Sequence, residues 1–285
     1  MVADSDRPTV VFFGRKPGGT LALEYLHQQL CWDVRAVVTP AAPEPGWLNP
    51  RPLAVYARSL GIPVFSQASL LEAIEDPEGE VGAVIGRVDW VISYLYPYRI
   101  RDAVLAYPRK GAINFHPGPL PRHGGVGGYN MAIIEQDREY GATCHFMVSQ
   151  FDAGPIVECR LFPIDAEVET ALSLELQTQH HMLRLFHSVC RRVHRDGELQ
   201  ATQQEGLRYV ARGEVDALRE ITCDLAPEEA DRRARGFWYP PYDGAHVTVA
   251  GRKLTVVPRC VLQGLGPLVH ATDLDSLSRA VRDLA

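Results

Sequence analysis

The chain has 285 residues and no apolar run near the ~20 residues that a membrane-crossing helix needs. It has no Cys-x-x-Cys pair. Its six cysteines (Cys31, Cys144, Cys159, Cys190, Cys223 and Cys260) are scattered, and none clusters with histidines in a zinc-site pattern. A disulfide framework and a structural zinc are therefore not expected, and reduced thiols in a cytoplasmic protein are. Met1 to Arg7 is polar and acidic, unlike a signal peptide. Basic residues come at most in adjacent pairs, such as Arg191-Arg192 and Arg232-Arg233, and the formal net charge is −6. A nucleic-acid partner is not favoured, although a local basic patch can hide inside an acidic total. No Gly-x-Gly-x-x-Gly occurs, and no Gly-Lys-Ser/Thr. The first loop, Gly14-Arg15-Lys16-Pro17-Gly18-Gly19, is thus not a dinucleotide or P-loop turn, and no nicotinamide cofactor is expected. The sequence holds no internal repeat and no low-complexity segment.

What is present alternates between strands and helices. Thr9 to Phe13 is a short apolar run stopped by Gly14, the pattern of a buried parallel strand. Thr20 to Leu30 has a helical apolar face, and Val34 to Val38 reads as a second strand. Ala54 to Leu60 reads as a helix leading into a strand at Gly61 to Phe65. Trp90 to Tyr94 and Ala112 to Phe115 complete the run of strands. Gly141 to Val148 alternates like an edge or antiparallel strand, followed by Ile156 to Phe162. Leu172 to Val193 is the longest helical pattern, and Gly197 is its stop signal. Its histidines (His180, His181 and His187, with His194 just beyond) sit among Leu, Met and Phe and read as surface or satisfied core residues, not metal ligands. Residues 199 to 222 are polar and read as loops. From Pro227 a helix is followed by strands at His246 to Val249 and Leu254 to Val257. The expected fold is α/β: a Rossmann-like, mostly parallel sheet with flanking helices over residues 1–200, and a small C-terminal α+β unit over 201–285.

The chemistry concentrates in two segments. Asn114-Phe115-His116-Pro117 and Gln150-Phe151-Asp152-Ala153-Gly154-Pro155 each look like a strand end running into a loop, where sites form in open α/β sheets. An amide can hold a developing oxyanion, an imidazole can move a proton, and a carboxylate can orient either the imidazole or a water. Asn114, His116 and Asp152 are the candidate catalytic set, suited to acyl transfer to an amine.

Four segments occur in order: Gly111 to Pro121, Gly124-Gly125-Val126-Gly127-Gly128-Tyr129-Asn130, Gly141-Ala142-Thr143-Cys144-His145, and Phe151 to Ile156. Together they resemble the 10-formyltetrahydrofolate-dependent formyltransferase family, whose core reads N-x-H-P-x-x-L-P, a Gly-rich loop, G-x-T-x-H and D-x-G-x-I. The resemblance implies that formyl passes from 10-formyltetrahydrofolate to an amine. Asn114 would hold the oxyanion. His116 would be base or oxyanion partner, and Asp152 would hold His116 or a relay water. Which of the last two takes the amine proton stays open. The pterin would be held by the segment around Tyr94, Leu95, Tyr96 and Pro97, through its backbone or through an aromatic slot, and by the loop before Asp152. The chain departs from the family at Gly118-Pro119, where Ser-Leu is common, and at His123-Gly124-Gly125, where aromatic-Arg-Gly is common. Arg122 or His123 would then substitute in acceptor binding, or the acceptor differs.

Phe237-Trp238-Tyr239-Pro240-Pro241-Tyr242-Asp243-Gly244-Ala245 is similar to the (F/Y)-P-P-Y-x-G-A segment of sugar N-formyltransferases. That likeness implies a small-molecule acceptor, a nucleotide-linked amino sugar, contacted by Arg122, Tyr129, Trp238, Tyr239 and Tyr242. The plainer reading of the stretch is a hydrophobic plug. A homodimer is a further expectation. Methionyl-tRNA or a hydroxyornithine-like amine are alternative acceptors, and a folate-binding regulatory protein is the alternative without catalysis. Neither a membrane nor a metal is implied.

Overall fold

A computed structural model describes residues 7–40 and 49–269. The chain divides into two compact units. The first comprises the residues up to Gly124, then Gly141–Leu161 and Gln179–Arg208. The second comprises Gly125–Tyr140, Phe162–Thr178 and the residues from Tyr209 on. The second unit is therefore not simply the sequence after residue 200: it also takes in two segments of the expected catalytic domain.

The first unit is built on a seven-stranded sheet in the order β3-β2-β1-β4-β5-β7-β8. β1 (Thr9–Gly14), β2 (Asp33–Val38), β3 (Val64–Phe65), β4 (Trp90–Tyr94) and β5 (Gly111–His116) are parallel. β7 (Glu139–Phe146) joins antiparallel to β5, and β8 (Ile156–Pro163) lies beyond it. The order reverses at β1, which has β2 on one side and β4 on the other. Ligand crevices of open α/β sheets open at the carboxyl ends of strands beside such a point.

Both faces of this sheet are covered, which explains why its central strands are continuous apolar runs. Val10 and Phe12 of β1, Ile92 of β4, and Ile113 and Phe115 of β5 point into one core. That core also takes residues of α1 (Lys16–Glu24), α2 (Leu53–Ser59) and α7 (Ala171–Asp196), including Phe186 and Val189. Val11, Phe13, Val91 and Ala112 point to the opposite face. There they meet Leu70 of α3 (Gln67–Glu75), Ile85 of α4 (Glu80–Ile85) and Val104 of α5 (Asp102–Leu105). Helix α1 begins at Lys16, four residues before the expected start. Pro17 sits in its first turn, where the missing N–H costs nothing.

In the second unit, α6 (Gly128–Ile134) and α9 (Pro227–Gly236) supply Met131, Ala132, Ile133 and Ala234 to the buried interior. Asn130 Nδ2 donates to the Gly236 carbonyl at 2.6 Å. Arg235 is almost fully buried. It donates to Asp231 and to the carbonyls of Ala166 and Glu169. β10 (His246–Val249) and β11 (Arg252–Thr255) form a hairpin, and α10 (Arg259–Val269) follows. β11 starts two residues earlier than expected, because pairing about the Ala250-Gly251 turn sets His246 opposite Thr255. Both turn residues have positive φ, at 48° and 73°, as a tight hairpin requires. No helix of the described residues is long and apolar enough to cross a membrane.

Candidate active site

The site is a cross-strand square on one face of the sheet. Residues two apart on a strand share a face. Asn114 and His116 of β5 therefore point together, on the side opposite Ile113 and Phe115. On antiparallel β7, His145 stands opposite Asn114 and Thr143 opposite His116. Two N-x-H and T-x-H patterns on adjacent strands thus place four polar side chains side by side at the carboxyl end of β5. The loop after β7 brings in Asp152. Its Oδ1 lies 3.6 Å from His116 Nδ1 and 3.6 Å from His145 Nε2. The side chains of His116 and Asp152 are each only 10% exposed.

Hydrogen bonds fix both imidazoles. His145 Nδ1 lies 2.8 Å from the Phe146 carbonyl, which can only accept, so Nδ1 carries the hydrogen and Nε2 is the acceptor in the neutral ring. Asn114 Nδ2 then donates to His145 Nε2 at 3.2 Å. An amide nitrogen has two hydrogens, so the second remains to meet a developing oxyanion. His116 Nε2 lies 2.7 Å from the His123 carbonyl. Thr143 Oγ1 donates to the Gly118 carbonyl at 2.8 Å and accepts from Leu120 N–H at 3.0 Å, which pins the loop after His116.

The Asp152 turn is held with unusual firmness. Asp152 has φ +55°, a left-handed conformation that is uncommon outside glycine and that Asn and Asp tolerate best. Gln204 Nε2 donates to the carbonyls of Asp152 at 2.6 Å and Gly154 at 2.7 Å. Phe146 N–H donates to the Pro155 carbonyl at 2.9 Å. Gly154 lies so close to β7 that a methyl group on it would stand 1.9 Å from the Phe146 carbonyl oxygen.

The expected catalytic residues Asn114, His116 and Asp152 thus converge. Two contributors were not named from sequence. His145 was legible, since Gly141 to His145 repeats the polar-x-polar spacing of Asn114 to His116. Gln204 had no local signal: it reaches the Asp152 turn from a polar stretch read only as loop.

The expected folate segment is mixed. The Tyr94 ring is buried against Phe115 and Phe186, and burial pushes its hydroxyl far above the usual phenol range. An aromatic slot built on this ring is therefore corrected: the apolar core claims it. Its carbonyl accepts from Arg15 N–H at 3.3 Å. Leu95 turns the chain at φ +59°. Tyr96 packs edge-on against Phe13 and Tyr98. Arg99 Nη2 donates to the Ser149 carbonyl at 3.3 Å, tying this segment to the loop before Asp152. Pro97 is exposed between them.

Arg122 is exposed on the first unit, at a turn where its N–H donates to the Pro119 carbonyl. Tyr129, Trp238, Tyr239 and Tyr242 belong to the second unit. Phe237 is a core plug there, with the Arg219 guanidinium 4.8 Å from its ring centre. After it, Trp238 and Tyr239 are partly buried and Tyr242 is half exposed, with the Tyr239 and Tyr242 rings 5.4 Å apart. Among the described residues no three His, Cys, Asp or Glu side chains form a group able to hold a metal ion.

An Asn, two His and an Asp gathered at the carboxyl edge of a Rossmann-like sheet are side chains able to serve acyl transfer. Residues 56–189 match the formyl transferase family, so the chain carries a formyl transferase domain. A methionyl-tRNA formyltransferase from Cutibacterium acnes is 29% identical over 219 residues, covering 76% of this chain and 67% of that protein. Among solved structures, a sugar N-formyltransferase from a Shewanella species superposes with a TM-score of 0.69 at 18% identity, over 88% of this chain and 96% of that one. An N-formyltransferase from Helicobacter canadensis, in complex with folinic acid and dTDP-3-aminofucose, gives 0.68 at 19% identity, over 86% of each chain.

Proposed function

We propose that the protein moves a formyl group from 10-formyltetrahydrofolate to the amine of a nucleotide-linked amino sugar. The observation that carries formyl transfer is the convergence of Asn114, His116, His145 and Asp152 within hydrogen-bond or ion-pair reach. Formyl transfer to an amine needs three things: an acceptor for the amine proton, a donor to the oxyanion, and a proton for the leaving nitrogen. Asn114 Nδ2 supplies the second, and losing one such donor costs about 3 kcal/mol in other enzymes. The Asp152–His116 pair supplies the other two. The backbone from Leu95 to Tyr98, tied to Ser149 through Arg99, suits the flat, hydrogen-bonding edge of a pterin.

The sugar acceptor is supported by the partly exposed aromatic residues after Phe237, and by likeness to sugar N-formyltransferases over nearly their whole length. A second copy of the chain would find an apolar contact in Val249 and Leu254, both exposed on the β10–β11 hairpin. Methionyl-tRNA is the second reading, supported by relatives such as that from Cutibacterium acnes. A thermal-shift screen of dTDP, UDP, GDP and methionyl-tRNA, with a folate present, separates the two. A rise with one nucleoside diphosphate supports the sugar reading, and a rise with methionyl-tRNA alone overturns it.

A further inference from the structure

After helix α7 the chain runs from Thr202 to Arg208 beside the site, pinned at both ends by backbone hydrogen bonds. Thr202 and Ile156 exchange two of them, each 2.8 Å, where β8 begins just past the Asp152 turn. Arg208 N–H donates to the Pro121 carbonyl at 2.9 Å, and Gly124 N–H donates to the Arg208 carbonyl at 3.1 Å. Pro121 and Gly124 flank His123, whose carbonyl lies 2.7 Å from His116 Nε2. One segment thus joins the loop that supports His116 to the loop that carries Asp152. Gly206, at φ +68°, makes the bend between the two attachments.

Gln203 and Glu205 are exposed, but Gln204 between them turns inward. A carbonyl only accepts, so Nε2 is the amide atom that faces Asp152 O and Gly154 O, at 2.6 and 2.7 Å, and both of its hydrogens are used there. Oε1 is buried and meets no donor among the described residues. The hydrogen bonds of this side chain therefore go to one place, the turn that aims Asp152. That turn, with Asp152 at φ +55°, is neither strand nor helix, and the glutamine amide supplies the donors that a neighbouring strand would otherwise give.

We infer that the segment 202–208 is a brace across the two catalytic loops, and that Gln204 is its positioning residue, setting the Asp152 carboxylate 3.6 Å from both His116 Nδ1 and His145 Nε2. The inference rests on the catalytic role proposed above for Asp152. Gln204 acts through the backbone of the turn and not on a reacting atom. Removing its two donors leaves the turn intact as a chain but frees the carboxylate to drift from the imidazoles.

The test uses two variants of the full chain. Gln204→Met keeps the length of the side chain and removes both donor hydrogens. Gln204→Asn keeps the amide but is one C–C bond, about 1.5 Å, too short to span both carbonyls. Each is expected to lower kcat roughly ten- to hundredfold, with the KM values for 10-formyltetrahydrofolate and for the acceptor within about threefold of wild type. Added to Asp152→Asn, neither should lower kcat further, because residues that act as a unit are not additive. Hydrogen exchange over residues 150–156 should quicken about tenfold or more while the central strands keep their protection. A variant with wild-type kcat, or one whose loss adds in full to that of Asp152→Asn, overturns the positioning role; a lower melting temperature with kcat intact does the same and makes Gln204 structural. Exchange over 150–156 that is unchanged in both variants overturns the brace, whether or not the chain transfers formyl. If exchange quickens but the wild type forms no formamide from any amine, the proposed function falls and the positioning role with it, while the brace stands. Either variant that folds is enough to decide.

Discussion

Replacing Gly154 with alanine should disable catalysis without touching a catalytic side chain. The new methyl would stand 1.9 Å from the Phe146 carbonyl oxygen and 2.9 Å from its carbonyl carbon. Real contacts of this kind essentially never fall below 3.0 Å, so the Asp152 turn and β7 must separate by about 1 Å. Two things move together. The Asp152 carboxylate leaves its position 3.6 Å from both imidazoles, and the carbonyl that fixes His145 Nδ1 is displaced. A misplacement of about 1 Å can cost ~10²-fold in rate, and overpacking of this sort costs about 1–3 kcal/mol in stability. At about 2–4 °C per kcal/mol, the melting temperature should fall by several degrees while the chain still folds. Steady-state release of tetrahydrofolate and a thermal melt, run on the same preparation, measure both. Gly154→Ala with kcat within about threefold of wild type would refute the claim that Asp152 must be held at this distance.

Asp152→Asn and His116→Asn should each lower kcat at least about a hundredfold with little change in melting temperature, since general acid–base groups contribute ~10² to 10⁴; near-full activity removes that residue from the mechanism. Trp238→Ala or Tyr242→Ala should raise the acceptor KM roughly five- to hundredfold while the folate KM holds, because stacking a base on a ring is worth ~1–3 kcal/mol. A fall in melting temperature alone would make these residues structural. At the start of the sheet, Asp89 accepts from Thr9 N–H and Oγ–H, and its own N–H donates back to Thr9 Oγ1. Burial raises the Asp89 pKa, but the bonds from Thr9 and the charges of Lys110 and Arg109 outweigh it and hold the carboxyl below its ordinary value. With the folded value below the unfolded one, its stabilisation is present above the unfolded pKa of about 3.9 and is lost as pH falls through the folded value. Asp89→Asn should therefore lose about 1–2 kcal/mol at neutral pH and flatten the acid limb of a pH-dependent denaturation series. An unchanged acid limb contradicts the assignment.

Much of the first unit was legible because its strands are buried on both faces. Runs such as Val10 to Phe13 and Trp90 to Tyr94 have no polar side to hide them, and Gly14 and Gly197 mark clean stops. Helices α3, α4 and α6 were not legible. They are short and begin beside glycine or serine, and α3 and α4 take their form from the sheet face they cover. The 246–257 hairpin was found but its second strand was misplaced, since the apolar text drew it toward Val257 whereas the two-residue turn fixes the pairing. In the site, Asn114, His116 and Asp152 could be read because each sits in a short motif with its own Pro or Gly. The ring of Tyr94 could not be placed, because one residue decides whether a strand side chain faces the core or the crevice. Gln204 acts across 52 residues of chain on the Asp152 carbonyl, and local sequence does not encode such a contact.

The most direct measurement is a single-turnover reaction of the full chain with 10-formyltetrahydrofolate and dTDP-linked, UDP-linked and GDP-linked amino sugars, followed by mass spectrometry, for wild type and Asp152→Asn in parallel. The account predicts one formamide formed per tetrahydrofolate released with one of these sugars, and a loss of at least about a hundredfold in Asp152→Asn. Formylation that proceeds at the wild-type rate in Asp152→Asn, or that occurs with methionyl-tRNA and none of the sugars, would contradict it.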